Sequence, residues 1–131
     1  MTENNKWKGH CACGAIKYES TEEPSLSFYC QCRQCQRATG SGYAALFVVS
    51  KNSTTVTGAM KFYDQKADSG NIVNRGFCPN CGSPVMNTTT SYPDNLIFNV
   101  ATLDDPGIFD PTTTACSEFS QSWDYIDPKL K

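Results

Sequence analysis

The stretch Cys78-Pro79-Asn80-Cys81-Gly82 has the form of a zinc knuckle, a turn that presents two thiolates to one metal ion. The glycine tolerates the strained backbone that such a turn needs. A second pair, Cys11-Ala12-Cys13, lies near the start of the chain and would close a tetrahedral shell of four thiolates. We therefore predict a structural zinc site formed by Cys11, Cys13, Cys78 and Cys81. The alternatives are buried free thiols, since cysteines two apart on a strand share one face, or an iron site.

A third cluster, Cys30-Gln31-Cys32-Arg33-Gln34-Cys35, offers three thiolates and has no obvious fourth ligand beside it. Three protein ligands with an open position are typical of a catalytic zinc, and such an ion lowers the pKa of a thiol substrate and holds its thiolate. The alternative is that Cys116 or His10 closes the shell. Cys116 lies in an apolar run and is interpreted as a packed small hydrophobe. His10 is interpreted as a surface group or a neighbour of the ligands.

The composition and charge of the chain argue against nucleic-acid and membrane partners. The chain has 131 residues, a net charge of -2 and a sequence pI near 5.3, without runs of lysine or arginine, so we expect no nucleic-acid partner. It shows neither a signal peptide nor an apolar run of about 18 residues. We expect a single zinc-binding domain over residues 1–131, cytoplasmic and without membrane contact. In a reducing compartment such cysteine pairs hold metal; in an exported protein they would indicate disulfides.

The apolar residues occur in short β-branched and aromatic runs, which predicts a mainly β fold with short helical turns near Cys32–Thr39. Strands are predicted at 15–19, 26–29, 43–49, 54–56, 61–63, 72–77, 85–89, 96–100 and 113–119. The aromatic residues predicted to fill the core are Tyr43, Phe47, Phe62, Tyr63, Phe77, Phe98 and Phe119. Trp123 is expected to close a pocket or cap the core, and Asp104-Asp105-Pro106-Gly107 to form a turn rather than a paired-carboxylate site.

Several motifs follow one another in an order typical of one family. They are His10-Cys11-Ala12-Cys13-Gly14-Ala15-Ile16, Cys30-x-Cys32-x-x-Cys35 with Thr39-Gly40-Ser41-Gly42, Arg75-Gly76-Phe77-Cys78-x-x-Cys81-Gly82-Ser83-Pro84, and Asn99-Val100-Ala101-Thr102-Leu103-Asp104-Asp105-Pro106, with an end near Trp123. In this order they resemble the glutathione-dependent formaldehyde-activating enzyme (GFA) family, which includes centromere protein V. The resemblance covers most of the chain.

The resemblance implies a small zinc-stapled antiparallel β fold of the β-tent type. It also implies two zinc ions per chain, a structural one on Cys11, Cys13, Cys78 and Cys81 and a catalytic one on Cys30, Cys32 and Cys35. The implied activity is that of a carbon-sulfur lyase, the condensation of formaldehyde with glutathione to S-hydroxymethylglutathione. Candidates for binding the glutathione carboxylates are Arg33, Arg37 and Arg75, and Ser41 is a candidate hydrogen-bonding group.

Three functions therefore remain open from the sequence. The first is a zinc-dependent lyase acting on an adduct of glutathione or another small thiol, and this is the function that the unclosed thiolate triad favours. The second is a non-catalytic binding or scaffold module of the same zinc-stabilised fold. The third is an iron or redox protein, which the grouping of three cysteines with a vacancy disfavours. The sequence predicts neither the true substrate nor the oligomeric state.

Overall fold

The structure is a computed structural model that describes residues 5–130 as two β-sheets and one short α-helix. The strands are β1 Trp7–His10, β2 Lys17–Ser20, β3 Leu26–Cys30, β4 Ala44–Ser50, β5 Thr54–Thr57, β6 Lys61–Lys66, β7 Ile72–Phe77, β8 Pro84–Thr89, β9 Asn95–Asn99 and β10 Thr113–Ala115; the helix is α1 Arg33–Thr39. Single 3-10 turns are interspersed at Lys51–Ser53, Val100–Thr102, Pro106–Ile108, Ser117–Phe119 and Pro128–Leu130. The prediction of a mainly β fold with short helical turns is confirmed. Over residues 5–130, no helix has the length and apolar content that crossing a bilayer requires.

The two sheets differ in size and in strand direction. The smaller has the order β1-β2-β5 and is antiparallel throughout, and the larger has the order β10-β3-β4-β9-β8-β7-β6. All pairs in the larger sheet are antiparallel except β10 with β3, which is parallel. The resemblance implied an antiparallel fold, and the larger sheet agrees with this except at the β10 edge. The exception is possible because β10 returns after a long connection from β9 rather than through a hairpin.

The core lies between the sheets and is built on stacked aromatic rings. Tyr18 of the smaller sheet stacks on Phe98 of the larger one with a centroid separation of 4.0 Å, and Phe98 stacks on Phe47 at 5.6 Å. Trp7 of β1 packs against Phe47 at 5.1 Å. All four side chains are buried, and Tyr18, Phe47 and Phe98 are fully enclosed. The prediction that Phe47 and Phe98 fill the core is confirmed.

Three of the other aromatic residues do not lie in the core, contrary to the prediction. Phe62 and Tyr63 are 45% and 62% exposed, and Phe119 is 44% exposed. The first two lie on β6, the edge strand of the larger sheet, where a neighbour is present on one side only. Trp123 is 69% exposed, so it does not cap the core.

Three predicted strands have an end that differs by two or more residues from the observed one. The predicted strand 61–63 continues to Lys66 as β6, and at the other two ends the backbone turns. The predicted strand 113–119 ends at Ala115, since Cys116 adopts a left-handed conformation with φ 59° and ψ 39° and begins the turn Ser117–Phe119. Strand β2 begins at Lys17, two residues later than expected, after the turn that contains Gly14. Strand β1 was missed altogether, because its four residues are too short a run to show an alternating pattern.

Gly9 allows β1 to approach the segment that follows β9. It bridges to Leu103, and a Cβ atom at this position would lie 2.1 Å from the Thr102 carbonyl oxygen and 2.7 Å from the Tyr18 hydroxyl. Both neighbours are held in place, because the Tyr18 hydroxyl is hydrogen-bonded to Thr102 Oγ1 at 2.7 Å. Glycine is therefore required here by contact distance, and the contact brings the first cysteine pair up to the rest of the fold.

Replacement of Gly9 by alanine is expected to lower the free energy of unfolding by about 3 kcal/mol, the upper range for overpacking a well-packed site. Chemical denaturation monitored by far-UV circular dichroism measures this. The matched control is Gly70→Ala, where a Cβ meets no atom within 4 Å and the left-handed backbone alone costs about 1 kcal/mol. Equal losses in the two variants would contradict the close approach of β1.

Candidate metal centre and adjoining cavities

Two turns of similar construction carry the four cysteines predicted to hold the structural zinc. Cys11 and Cys13 follow β1, and Cys78 and Cys81 follow β7. In the first turn the Gly14 amide donates to the Cys11 carbonyl at 3.0 Å, and in the second the Gly82 amide donates to the Cys78 carbonyl at 2.8 Å. Both glycines have positive φ, 80° and 78°, which explains why a glycine follows each pair. Each turn therefore directs two sulfurs toward the same point.

The four sulfurs of these turns lie within 4.8 Å of one another. The Sγ atoms of Cys11 and Cys13 are 3.7 Å apart, and those of Cys13 and Cys78 are also 3.7 Å apart. Four thiolates bound tetrahedrally at 2.3 Å from zinc would be about 3.8 Å from one another. The spacing and the chemistry of this donor set therefore fit a closed tetrahedral metal site. Cys11 and Cys78 are buried, whereas Cys13 and Cys81 are exposed.

Ser83 joins the two turns through its hydroxyl. Its Oγ accepts a hydrogen bond from the Ala12 amide at 3.0 Å and lies 3.2 Å from the Sγ of Cys81. The hydrogen bond from Ser83 lowers the pKa of the Cys81 thiol to about 5. A thiolate, the form that binds metal, is thus favoured at neutral pH by the protein itself.

The second group of sulfurs lies where β3 passes into α1. Cys30 ends β3, Cys32 is the N-cap of α1, and Cys35 lies in its first turn. The Cys35 amide donates to the Cys32 sulfur at 3.3 Å, so the start of the helix fixes two of the three sulfurs. The three Sγ atoms lie within 4.8 Å of one another, with Cys35 buried and the others half-buried. This donor set fits a metal with three protein ligands.

Arg75 supplies a positive charge to the three-thiol group. Its Nη2 donates to the Cys35 sulfur at 3.9 Å, and its Nε donates to the Gln65 side chain at 2.8 Å, which orients the guanidinium. Hydrogen bonds from the Cys30 and Cys35 thiols lower the pKa of Cys32 to about 2, and Arg75 lowers it further by its charge. The hydrogen bond to Cys32 correspondingly raises the pKa of Cys30. The group therefore holds a negative charge next to a fixed cation.

Two cavities adjoin each other beside these residues. The smaller, of about 260 Å³, is lined by Arg75, Ala44 and Tyr63 among others, and Ala44 packs against the three-thiol group. The larger, of about 1020 Å³, is lined by His10, Asp104 and Asp124 among others. Thr39, Pro84 and Asn99 line both. A small molecule lying across this boundary can thus extend from the Arg75 side of the thiols into the larger cavity.

His10 belongs to the surroundings of the four-thiol group. Its Nδ1 donates to the Cys11 carbonyl at 2.7 Å, and its Nε2 lies 3.6 Å from an oxygen of Asp104. His10 thus lies at the surface and outside both groups of close sulfurs, and its role as a neighbour of metal ligands stays a prediction. Asp105 accepts from the Gly107 amide at 3.1 Å and caps the turn Pro106–Ile108, so the interpretation of this stretch as a turn is confirmed.

Cys116 does not lie where the sequence analysis placed it. It is exposed, and it follows Ala115, the residue of β10 that is paired with Cys30. The interpretation as a packed small hydrophobe is therefore wrong, because the strand ends one residue earlier and the left-handed turn brings Cys116 out of the sheet.

The other sequence candidates are distributed around the helix. Arg33 and Arg37 are exposed on α1. Ser41 donates to the Tyr43 carbonyl at 2.6 Å and lines the larger cavity. The contact between Arg75 and Cys35 was not predicted, and neither was the role of Gln65. No local pattern encodes them, because they depend on the placement of β7 beside α1.

Comparison with known proteins agrees with these motifs. The family model described as "Glutathione-dependent formaldehyde-activating enzyme" matches residues 6–120. The chain belongs to this GFA family. A crystal structure of a Rhodobacter sphaeroides protein is similar to the GFA chain at a TM-score of 0.58 and 25% sequence identity, over 74% of this chain and 87% of that chain. No curated protein matches the chain. Membership supports a function of the glutathione-dependent, formaldehyde-activating type at the level of the family.

Proposed function

We propose that the chain is a single zinc-binding domain that acts as a carbon-sulfur lyase, forming or cleaving an adduct such as S-hydroxymethylglutathione. The observation that carries the proposal is the three-thiol group of Cys30, Cys32 and Cys35, which lies beside Arg75 and a cavity in a chain of the GFA family. Four further thiols, those of Cys11, Cys13, Cys78 and Cys81, would hold a structural zinc.

The proposed reaction needs a thiolate and an electrophilic carbonyl held close together. A zinc ion bound by the three thiols would lower the pKa of the substrate thiol and fix its sulfur. The thiolate attacks the carbonyl carbon of formaldehyde, a carbon–sulfur bond forms, and the proton lost by the thiol is taken up by the new hydroxyl oxygen. Arg75 offsets the negative charge of the cysteine group, because its guanidinium contacts Cys35 and is oriented by Gln65.

The cavities are suited to the remainder of a small thiol substrate. Glutathione carries two carboxylates and one ammonium group. Arg75 lines the smaller cavity and contacts the Cys35 sulfur, while Asp104 and Asp124 line the larger one. Carboxylates are therefore favoured near Arg75 and an ammonium group in the larger cavity. Thr39 and Asn99 supply hydrogen-bonding groups at the boundary.

Replacement of Arg75 by glutamine is expected to weaken zinc binding at the three-thiol group by 10- to 100-fold, as found for residues that orient or balance metal ligands. Competition with a chromogenic chelator measures the affinity of each zinc. Arg37→Gln, which removes an exposed arginine from α1, is the matched control and should leave both affinities unchanged. An unaltered affinity in Arg75→Gln would contradict the charge-balancing role.

The activity is tested by following ¹³C-formaldehyde and reduced glutathione by NMR exchange spectroscopy. Because the two compounds also combine without a catalyst, the quantity of interest is the increase in exchange rate per protein added. We expect the zinc-loaded protein to raise the rate in proportion to its concentration. A rate equal to the uncatalysed one, with correctly folded and zinc-loaded protein, would rule out this substrate pair and favour the scaffold alternative.

A further inference from the structure

Cys116 is placed beside the three-thiol group by the parallel pairing of β10 with β3. β10 runs parallel to β3 with Ala115 opposite Cys30, and the Gln31 amide donates to the Ala115 carbonyl at 2.9 Å. The residue after Ala115 is therefore delivered to the end of β3, where the chain turns into α1. Cys116 is therefore the residue that directly follows the one paired with Cys30, the first of the three thiols.

The backbone at Cys116 is held in an unusual conformation by its surroundings. It is the one residue other than glycine with positive φ between residues 5 and 130, a conformation that residues with a Cβ atom rarely adopt. The turn that follows is fastened to α1, because the buried Gln36 amide group donates to the Phe119 carbonyl at 3.0 Å and to the Gln31 carbonyl at 2.8 Å. The position of Cys116 thus depends on the same residues that position the three thiols.

We propose that Cys116 is a fourth, exchangeable ligand that closes the metal site of Cys30, Cys32 and Cys35 until a substrate thiol displaces it. This inference rests on the proposed zinc site but not on the identity of the substrate. The Cys116 sulfur lies outside the set of three mutually close sulfurs, so ligation would require its side chain to rotate about the Cα–Cβ bond. Exposure does not oppose this role, since Cys13 and Cys81 of the four-thiol group are exposed as well.

Exchange of one thiolate for another leaves the net charge of the site unchanged. The incoming thiol gives its proton to the departing Cys116 sulfur, so one metal–sulfur bond breaks, one forms, and Cys116 is released as a neutral thiol. A tethered ligand competes with an effective concentration in the millimolar range or above. A substrate thiol would therefore displace Cys116 only when it is present at a comparable concentration. In the resting state, with Cys116 bound, the site would be closed to electrophiles and oxidants.

The inference is tested by alkylation of the zinc-loaded protein with iodoacetamide, with modification of Cys116 quantified by peptide mass mapping. We expect Cys116 to react at least about tenfold more slowly than in zinc-loaded Cys32→Ser, which corresponds to a site closed in about nine molecules in ten. Adding reduced glutathione should restore the faster rate. Equal rates in the two proteins would overturn the ligand assignment, whatever the catalytic activity. Protection that glutathione does not relieve would retain Cys116 as a ligand and would count against the proposed activity instead.

Variants at Cys116 provide a second test through glutathione affinity. Cys116→Ser and Cys116→Asn both remove the competing thiol, and asparagine also suits the left-handed backbone. Both should tighten glutathione binding by about tenfold in calorimetric titration, since the site is then always open. Ser117→Ala, in the same turn, is the control and should bind like the parent protein. Unchanged affinity in both cysteine variants would contradict competition by Cys116.

Discussion

Replacement of Cys32 by serine is expected to lower the glutathione-dependent turnover of formaldehyde by more than about a hundredfold while the protein stays folded. Loss of a residue that only orients metal ligands already costs 10- to 100-fold, and Cys32 is itself proposed as a ligand. It contacts both of the other thiols and caps α1. The fold should persist, because the core of stacked rings between the two sheets does not include it. Exchange spectroscopy gives the rate, and thermal denaturation gives the stability.

The control for Cys32→Ser is Thr55→Ser, an exposed position on β5 in the smaller sheet, which should retain full turnover. A Cys32→Ser protein with unchanged turnover and a cooperative unfolding transition would show that the three-thiol group is not the active site. A protein with no turnover and no cooperative transition would instead show that this group is needed for folding, as the scaffold alternative predicts.

Replacement of Cys81 by serine is expected to act mainly on stability, unlike Cys32→Ser. The free energy of unfolding should fall by more than about 5 kcal/mol. A closed zinc site contributes much of the folding free energy of a small metal-binding domain, whose total stability is itself of order 5–15 kcal/mol. Cys81 is exposed, and substitutions at exposed positions without a special role usually change stability by less than about 0.5 kcal/mol. A large effect at this position therefore reports the metal rather than packing.

The contribution of the metal to stability is isolated by comparing Cys81→Ser with the parent protein after the zinc has been removed by a chelator. In the zinc-free state Cys81→Ser and the parent protein should have the same low stability, measured by urea denaturation with circular dichroism. A small loss in the zinc-loaded Cys81→Ser protein would mean that the two turns hold together without an ion. The hydrogen bond from Ala12 to Ser83 would then be the main connection between them.

Much of the candidate site follows from local spacing, and the rest depends on how distant strands meet. Cys78 and Cys81 are brought together by a five-residue turn, and Cys32 and Cys35 by the first turn of a helix, so their spacing along the chain already predicts shared ligation. Arg75 reaches Cys35 only because of where β7 lies in the larger sheet. Such contacts leave no periodic signal in a single sequence.

The incorrect predictions share a physical cause. Phe62, Tyr63 and Phe119 have the composition of core residues, but two of them lie on an edge strand and one in a turn, and strand order determines which aromatic faces are covered. Cys116 was interpreted as part of a continuous apolar strand. Its left-handed backbone, which changes its direction, is disfavoured for cysteine and thus could not be predicted from residue type.

The central proposal is that the chain holds two zinc ions, one enclosed permanently by four thiols and one that binds a thiol substrate. Native mass spectrometry of the purified protein, before and after addition of reduced glutathione, tests this most directly. We expect two zinc ions per chain and the mass of one added glutathione, with the glutathione lost in Cys32→Ser. Two zinc ions with no glutathione at any concentration up to the millimolar range, or a single zinc ion in the parent protein, would contradict it.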